Sequence, residues 1–152
     1  MVEKEACDPN LIQVSDLMTR SVEVTSPAAT VEAVAAKMRD SGVGMIPVCE
    51  NDRLVGVLTD RDVTVRSTAK GLDPKKTRVR EVMTPQVLYC FDDQLVDEAA
   101  HRMEQKAVRR LIVLNRQKRM VGIISLDDLA RLPGEEKRVG EVLEHLIQPP
   151  TT

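Results

Sequence analysis

The chain has 152 residues, a formal net charge of −2, and only two aromatic side chains, Tyr89 and Phe91, so its core has to be aliphatic. Lys+Arg 22 against Asp+Glu 24 leaves no net positive field, and there is no aromatic platform for stacking bases, which argues against a nucleic-acid partner. No apolar run approaches the ~20 residues of a membrane span, and the start of the chain lacks an apolar signal core, so no membrane partner is expected.

The order of elements follows from one internal repeat. Val14-Ser-Asp-Leu-Met18-Thr19 returns as Val79-Arg-Glu-Val-Met83-Thr84, and the same offset pairs Val31 with Val96, Met38 with Met103 and Val48 with Val113. One inserted residue near Arg119 shifts the register, after which Val55-Gly56 matches Val121-Gly122 and Thr59-x-x-Asp62 matches Ser125-x-x-Asp128. Residues 1–13 read as a flexible tail, 14–69 as the first copy, 70–78 as a turn-rich basic linker, 79–132 as the second copy, and 133–152 as a closing helix and tail.

In each copy a short extended lead-in (22–25 and 87–90) precedes an amphipathic helix. Its apolar stripe is Val31, Val34, Ala35 and Met38, then Val96, Ala99, Ala100 and Met103. Thr30 is a candidate N-cap for the first helix, whereas Leu95 stands in that place in the second. Two β-rich runs joined by a polar turn follow, reading as a hairpin. They are Met45-Ile-Pro-Val-Cys49 with Leu54-Val-Gly-Val-Leu58, and Leu111-Ile-Val-Leu114 with Met120-Val-Gly-Ile-Ile124. A second helix starts at Thr59 or Ser125 and carries Val63 and Val65, or Leu126 and Leu129. A unit of this size buries too little surface alone, so the two copies are expected to pack sheet against sheet around one shared core. Val139, Val142, Leu143, Leu146 and Ile147 predict a final amphipathic helix ahead of Pro149. The stripes on the two repeat helices and on this final helix are candidate dimer surfaces. Cys7, Cys49 and Cys90 are odd in number and lack CxxC spacing, so they read as reduced thiols of a cytoplasmic protein. Cys49 is expected to be buried.

Taken together, Asp16-Leu-Met-Thr19, Gly42-Val-Gly-Met-Ile-Pro-Val48, Leu54-Val-Gly-Val-Leu-Thr-Asp-Arg-Asp62, Glu81-Val-Met-Thr84, Val108-Arg-Arg-Leu-Ile-Val113 and Met120-Val-Gly-Ile-Ile-Ser-Leu-Asp-Asp128 resemble the tandem CBS (cystathionine β-synthase-like) domain pair. The match runs over almost the whole chain. It is similar in particular to small stand-alone bacterial pairs, including the hypoxic-response type. The resemblance implies an α+β fold of two tandem CBS repeats, each a short β-sheet with two helices, packed with pseudo-two-fold symmetry. It also implies a homodimer. The implied function is a regulatory sensor that binds an adenosine nucleotide, AMP or ATP, in the cleft between repeats and transmits occupancy to an unidentified protein partner. No required cofactor and no enzyme activity are expected, the adenine nucleotide being a regulatory ligand.

In members of that family the Ser/Thr-x-x-Asp opens the last helix. The Asp accepts from both ribose hydroxyls, and the Ser/Thr lies near the phosphate. Thr59 with Asp62 and Ser125 with Asp128 match it. The same pattern ahead of an apolar helix is also a capping box with no ligand. Arg109 and Arg110 precede the second-copy strand, where guanidinium forks suit phosphate oxygens; alternatively they are solvated arginines at a strand edge. Gly44 and Met45 occupy the matching places in the first copy, as a close backbone approach and a wall for adenine, or as a turn and a core methionine. Arg66 is a further phosphate candidate or an exposed helix arginine. Thr25 with Val24, and Tyr89 with Cys90, flank the base in the family geometry or are ordinary edge-strand residues. His101 and His145 lack partners at metal-ligand spacing, and Asp92-Asp93 and Asp127-Asp128 read as turn and cap carboxylates. The rival to the sensor is a ligand-free dimerisation or protein-interaction module.

Overall fold

A computed structural model describes residues 11–132 and 136–147. Of the expected tail at 1–13, residues 1–10 with Cys7 lie outside the described residues, as do 133–135 and the segment from Gln148 onward with Pro149; the remainder is tied down, Gln13 bridging Leu95 and the Ile12 carbonyl accepting from Val96. The elements in chain order are α1 (Val14–Leu17), α2 (Val31–Ser41), β1 (Met45–Glu50), β2 (Arg53–Thr59), α3 (Asp60–Asp62) running on as a π-helical turn (Val63–Thr68), α4 (Val79–Val82), β3 (Tyr89–Phe91), α5 (Val96–Lys106), β4 (Arg110–Leu114), β5 (Met120–Ser125), α6 (Leu126–Leu129) and α7 (Glu136–Ile147). This is the α+β content expected of two copies.

Two compact units result, and each takes its first short helix from the opposite copy. Unit 1 comprises Met1–Arg20, Leu88–Gln117 and Val121–Thr152; unit 2 comprises Ser21–Val87 and Lys118–Met120. In unit 1 the Val14 and Ser15 amides donate to the Gln94 and Asp92 carbonyls at 2.8 and 3.0 Å, and Val96 donates back to Ile12 at 2.8 Å. Unit 2 repeats the arrangement. Val79 and Arg80 donate to Ala29 and Pro27 at 2.8 and 3.0 Å, and Val31 donates to Thr77 at 2.9 Å.

After each short helix the Met-Thr pair crosses the glycine of the final strand. Thr19 exchanges two backbone hydrogen bonds with Ile123, at 2.8 and 3.0 Å, and Thr84 exchanges two with Val57, both at 2.9 Å. A Cβ on Gly122 would stand 2.6 Å from the Thr19 carbonyl oxygen, and one on Gly56 would stand 2.8 Å from that of Thr84. Only glycine admits this approach. The Val-Gly pairs of the repeat are therefore docking points for the exchanged helices.

Each unit holds its own buried cluster. In unit 1 Val14 and Met18 join Cys90, Val96, Ala99, Ala100, Met103, Leu111, Val113, Ile124, Leu126, Leu129 and Leu132. In unit 2 Val79 and Val82 join Val31, Val34, Met38, Ile46, Val48 and Leu58. The expectation of one shared core is corrected here, because the apolar face of each exchanged helix completes a separate one. The α2 and α5 stripes are likewise core, so they are not dimer surfaces. Val139, Leu143 and Leu146 of α7 are partly buried against the unit 1 cluster.

The sheets differ in completeness. Unit 1 has a three-stranded sheet in the order β3-β4-β5, with β3 parallel to β4. Unit 2 has the antiparallel hairpin β1-β2, turned by Asn51 and Asp52 at positive φ of 53° and 65°, as a two-residue hairpin loop requires. Its lead-in shrinks to one parallel bridge, Thr25 to Val48, at the place where Cys90 pairs Val113. Thr30 caps α2, accepting from the Ala33 amide at 3.2 Å, while Leu95 gives α5 no side-chain cap.

Two side chains depart from expectation. Val65 is 47% exposed, because helix positions two apart face opposite ways and Val63 takes the inward one. Cys49 is half-buried, lying beside a register shift between Val48 and Cys49 that turns it partly outward.

Candidate functional site

The strand-to-helix junction is built alike in the two units. In unit 2, β2 ends at Thr59, whose amide donates to Asp62 Oδ2 at 3.0 Å while the Asp62 amide donates to Thr59 Oγ1 at 3.0 Å. In unit 1 the Ser125 amide donates to Asp128 Oδ2 at 2.9 Å, and the Asp128 amide donates to Ser125 Oγ at 3.3 Å. Both are complete capping boxes, so the capping role is realised in each copy. The cap uses one carboxylate oxygen only. Each remaining Oδ1 faces a guanidinium 3.6 Å away, Arg66 on Asp62 and Arg131 on Asp128. Asp62 is 9% exposed and Asp128 3%, which leaves Asp62 the more open of the two.

A second backbone link brings the strand start to the same place. The Asp60 amide donates to the Gly44 carbonyl at 2.9 Å, and the Leu126 amide donates to that of Arg109 at 3.0 Å. Met45 opens β1 opposite Thr59. Unit 2 thus gathers Gly44, Met45, Thr59, Asp62 and Arg66, and unit 1 gathers Arg109, Arg110, Ser125 and Asp128. Thr25 is buried but bridges Val48, three residues further along β1 than Met45, or about 10 Å at strand rise. Arg109 and Arg110 are exposed, and among the described residues neither guanidinium has an ion-pair partner.

Arg66 already has work inside the fold. Its Nη1 lies 3.1 Å from the carbonyl oxygens of Val82 and Met83 and from Thr84 Oγ1. It fastens the end of α4, where the last carbonyls lack helical partners. Thr84 Oγ1 also donates to Asp62 Oδ2 at 3.4 Å. Thr84, Asp60 and Arg131 are therefore site neighbours that the repeat alone did not single out. Thr84 was visible as part of Met-Thr, but its reach to Asp62 depends on the exchange of short helices.

The other constellations resolve into structure. Asp93 is gripped by the Arg116 fork at 2.8 Å through both oxygens, and that hydrogen bonding holds its carboxyl below the ordinary range. The same guanidinium lies 4.0 Å over the Phe91 ring, which meets Tyr89 edge to face at 5.6 Å. Burial pushes the Cys90 thiol up to about 12, more than nearby Arg102 lowers it. His101 is exposed, and the His145 side chain lies outside the described residues. No metal-holding group of His, Cys, Asp and Glu occurs among the described residues, and no described helix is long and apolar enough to cross a membrane.

Known proteins share this architecture. The CBS domain family model matches residues 14–67 and 79–135. CBS domain-containing protein YhcV of Bacillus subtilis is 37% identical over 88% of this chain and 94% of its own length. Hypoxic response protein 1 of Mycobacterium tuberculosis is 35% identical over 76% of this chain and 81% of its own. Among solved structures, CBSX2 in complex with AMP matches with a TM-score of 0.67 at 25% identity, over 79% of this chain and 94% of that one. The cytosolic domain of the Mg2+ channel MgtE in complex with ATP matches with a TM-score of 0.69 at 32% identity, over 79% and 48%.

Proposed function

The chain belongs to the CBS domain family, and on that premise we propose that this regulatory module senses an adenosine nucleotide, AMP or ATP, at the strand-to-helix junctions. One observation carries the reading. In both units the capping box fixes the aspartate through Oδ2 and leaves Oδ1 outside the cap, an acceptor suited to ribose hydroxyls. In unit 1 Arg109 is joined through its carbonyl to the start of the same helix, and Arg109 and Arg110, without ion-pair partners among the described residues, would supply charge-assisted donors for a phosphate. CBSX2 with AMP and MgtE with ATP support the ligand class. The module itself carries no chemistry: it responds to occupancy and hands the response to a protein partner, acting as a homodimer through faces other than the buried α2 and α5 stripes. Free thiols at Cys49 and Cys90 suit the reducing cytoplasm. A ligand shifts a conformational equilibrium only through different affinities for the two states, so nucleotide binding has to alter the junction itself.

The ligand-free interaction module is the second reading, favoured by the near-complete burial of both aspartates in their caps. Calorimetric titration of the wild type with AMP, ADP, ATP and S-adenosylmethionine separates the two. The sensor predicts saturable heat, lost by at least ~10-fold in affinity on Asp62→Ala or Asp128→Ala while far-UV circular dichroism stays native. Absence of heat with every adenosyl ligand leaves the interaction module.

A further inference from the structure

The two junctions share their backbone and differ in charge at one matched place. In unit 1 the Arg109 carbonyl accepts from the Leu126 amide, so an arginine and a leucine meet at this place. In unit 2 the Gly44 carbonyl accepts from Asp60, so a carboxylate stands over a bare backbone. The Asp60 Oδ2 lies 3.0 Å from where a Gly44 Cβ would be, and the Asp60 Oδ1 is fixed by the Arg61 amide at 2.8 Å. Arg66 does not pair with Asp60, since it holds the end of α4 and faces Asp62 Oδ1. Arg61 and Asp127, the next residues along, are both exposed and reverse the sign at one further position. The three heavy atoms nearest the place of a Gly44 Cβ all belong to Asp60.

We infer that Asp60 sets the ligand class of unit 2: it turns away a phosphate at Gly44 and admits a nucleoside that carries none, leaving the phosphate-bearing ligand to unit 1. This rests on the adenosine reading above and narrows it. Asp60 is exposed, and like charges a few ångströms apart still repel there, while a neutral nucleoside meets no such penalty.

Amide NMR on the full chain tests it, with Thr59 and Asp62 reporting unit 2 and Ser125 and Asp128 reporting unit 1. Adenosine and AMP are the probes. In the wild type AMP binds unit 1 at least ~10-fold more tightly than unit 2, while adenosine discriminates less. Asp60→Asn keeps the bond to the Arg61 amide and removes the charge. It raises AMP affinity at unit 2 by about 10-fold and changes adenosine affinity less than 2-fold, a tenfold change being about 1.4 kcal/mol. Arg109→Gly gives unit 1 the weaker preference for AMP. The inference is overturned if AMP and adenosine bind unit 2 alike in wild type and Asp60→Asn. It is also overturned if unit 2 stays silent while unit 1 responds, although the adenosine reading then stands. Silence in both units removes that reading and this inference with it.

Discussion

Replacing Gly122 by alanine tests whether the exchanged helix is held where the glycine allows it. The new methyl would stand 2.6 Å from the Thr19 carbonyl oxygen and 3.0 Å from Met18 Sδ. Ordinary contact begins near 3.4 Å, so the carbonyl has to retreat by about 0.8 Å. That carbonyl accepts from the Ile123 amide at 3.0 Å, and Thr19 donates to the Ile123 carbonyl at 2.8 Å, so the retreat stretches both bonds past useful length. Two net hydrogen bonds at about 1 kcal/mol each, with about 1–3 kcal/mol for overpacking, are offset by up to ~1 kcal/mol of entropy lost from the unfolded chain. The expected loss is about 2–4 kcal/mol in urea denaturation, or roughly 5–15 °C in melting temperature. Native-state exchange should show the Thr19 and Ile123 amides opening first. Gly140→Ala, whose methyl meets nothing within 4 Å on α7, is the control and should be neutral or stabilising by up to ~1 kcal/mol. A Gly122→Ala protein within about 1 kcal/mol of wild type, its Thr19 amide still protected, would refute the reasoning.

Two further predictions follow from single side chains. Arg66→Ala removes the donor shared by Val82, Met83 and Thr84. Because the side chain is 43% exposed, the expected loss is modest, about 1–2 kcal/mol, with the Val57 amide, which donates to Thr84, exchanging faster. Unchanged exchange at Val57 would show that the clamp is idle. Cys90 gives a pH signature. Its folded thiol is held up to about 12 against an ordinary 9.0, so the unfolded chain releases that proton first, and the contribution present below pH 9.0 is lost as pH rises toward about 12. Wild-type stability should therefore fall relative to Cys90→Thr by up to about 1.4 kcal/mol per pH unit across that window. Threonine is chosen because Thr25 fills the matching buried place in unit 2. Parallel curves for the two proteins would contradict the shift.

Much of the fold was legible because a duplication writes each signal twice. Periodicity located α2 and α5, and the Thr30 and Leu95 positions foretold one capped helix and one without a side-chain cap. The exchange of α1 and α4 was not legible. The repeat orders the elements but is blind to which copy's sheet a four-residue helix joins, since both sheets offer the same glycine. The shared core failed for that reason, and the α2 and α5 stripes failed as dimer surfaces with it. At the site, Ser/Thr-x-x-Asp was readable as cap or ligand contact because both uses need an oxygen three residues into a helix. Arg66 read from charge and spacing as a phosphate candidate or an exposed helix arginine. Its partners are backbone carbonyls 16 and 17 residues away, which no local pattern announces.

Those carbonyls make the two junctions unequal in a way that bears on signalling. In unit 2 Thr84 pairs with Val57, donates to Asp62 and touches Arg66, so the docked end of α4 and the candidate ribose acceptor share one polar network. Unit 1 has Leu132, a buried apolar residue, where unit 2 has Arg66, and its Thr19 is exposed. Its α1 is held by backbone pairing, apolar contact and Arg20, which donates to the Ser15 carbonyl at 3.0 Å, and among the described residues no arginine from the last helix reaches it as Arg66 reaches α4. A ligand drawing on Asp62 therefore perturbs the helix next to the linker, whereas one drawing on Asp128 meets a junction whose docking rests on the glycine crossing. If unit 1 takes the phosphate and unit 2 the bare nucleoside, charge recognition and mechanical consequence fall to different units. Binding of AMP and release of α4 should then be separable by substitution, Arg109→Gly removing the first and Arg66→Ala freeing α4 whether or not ligand is bound.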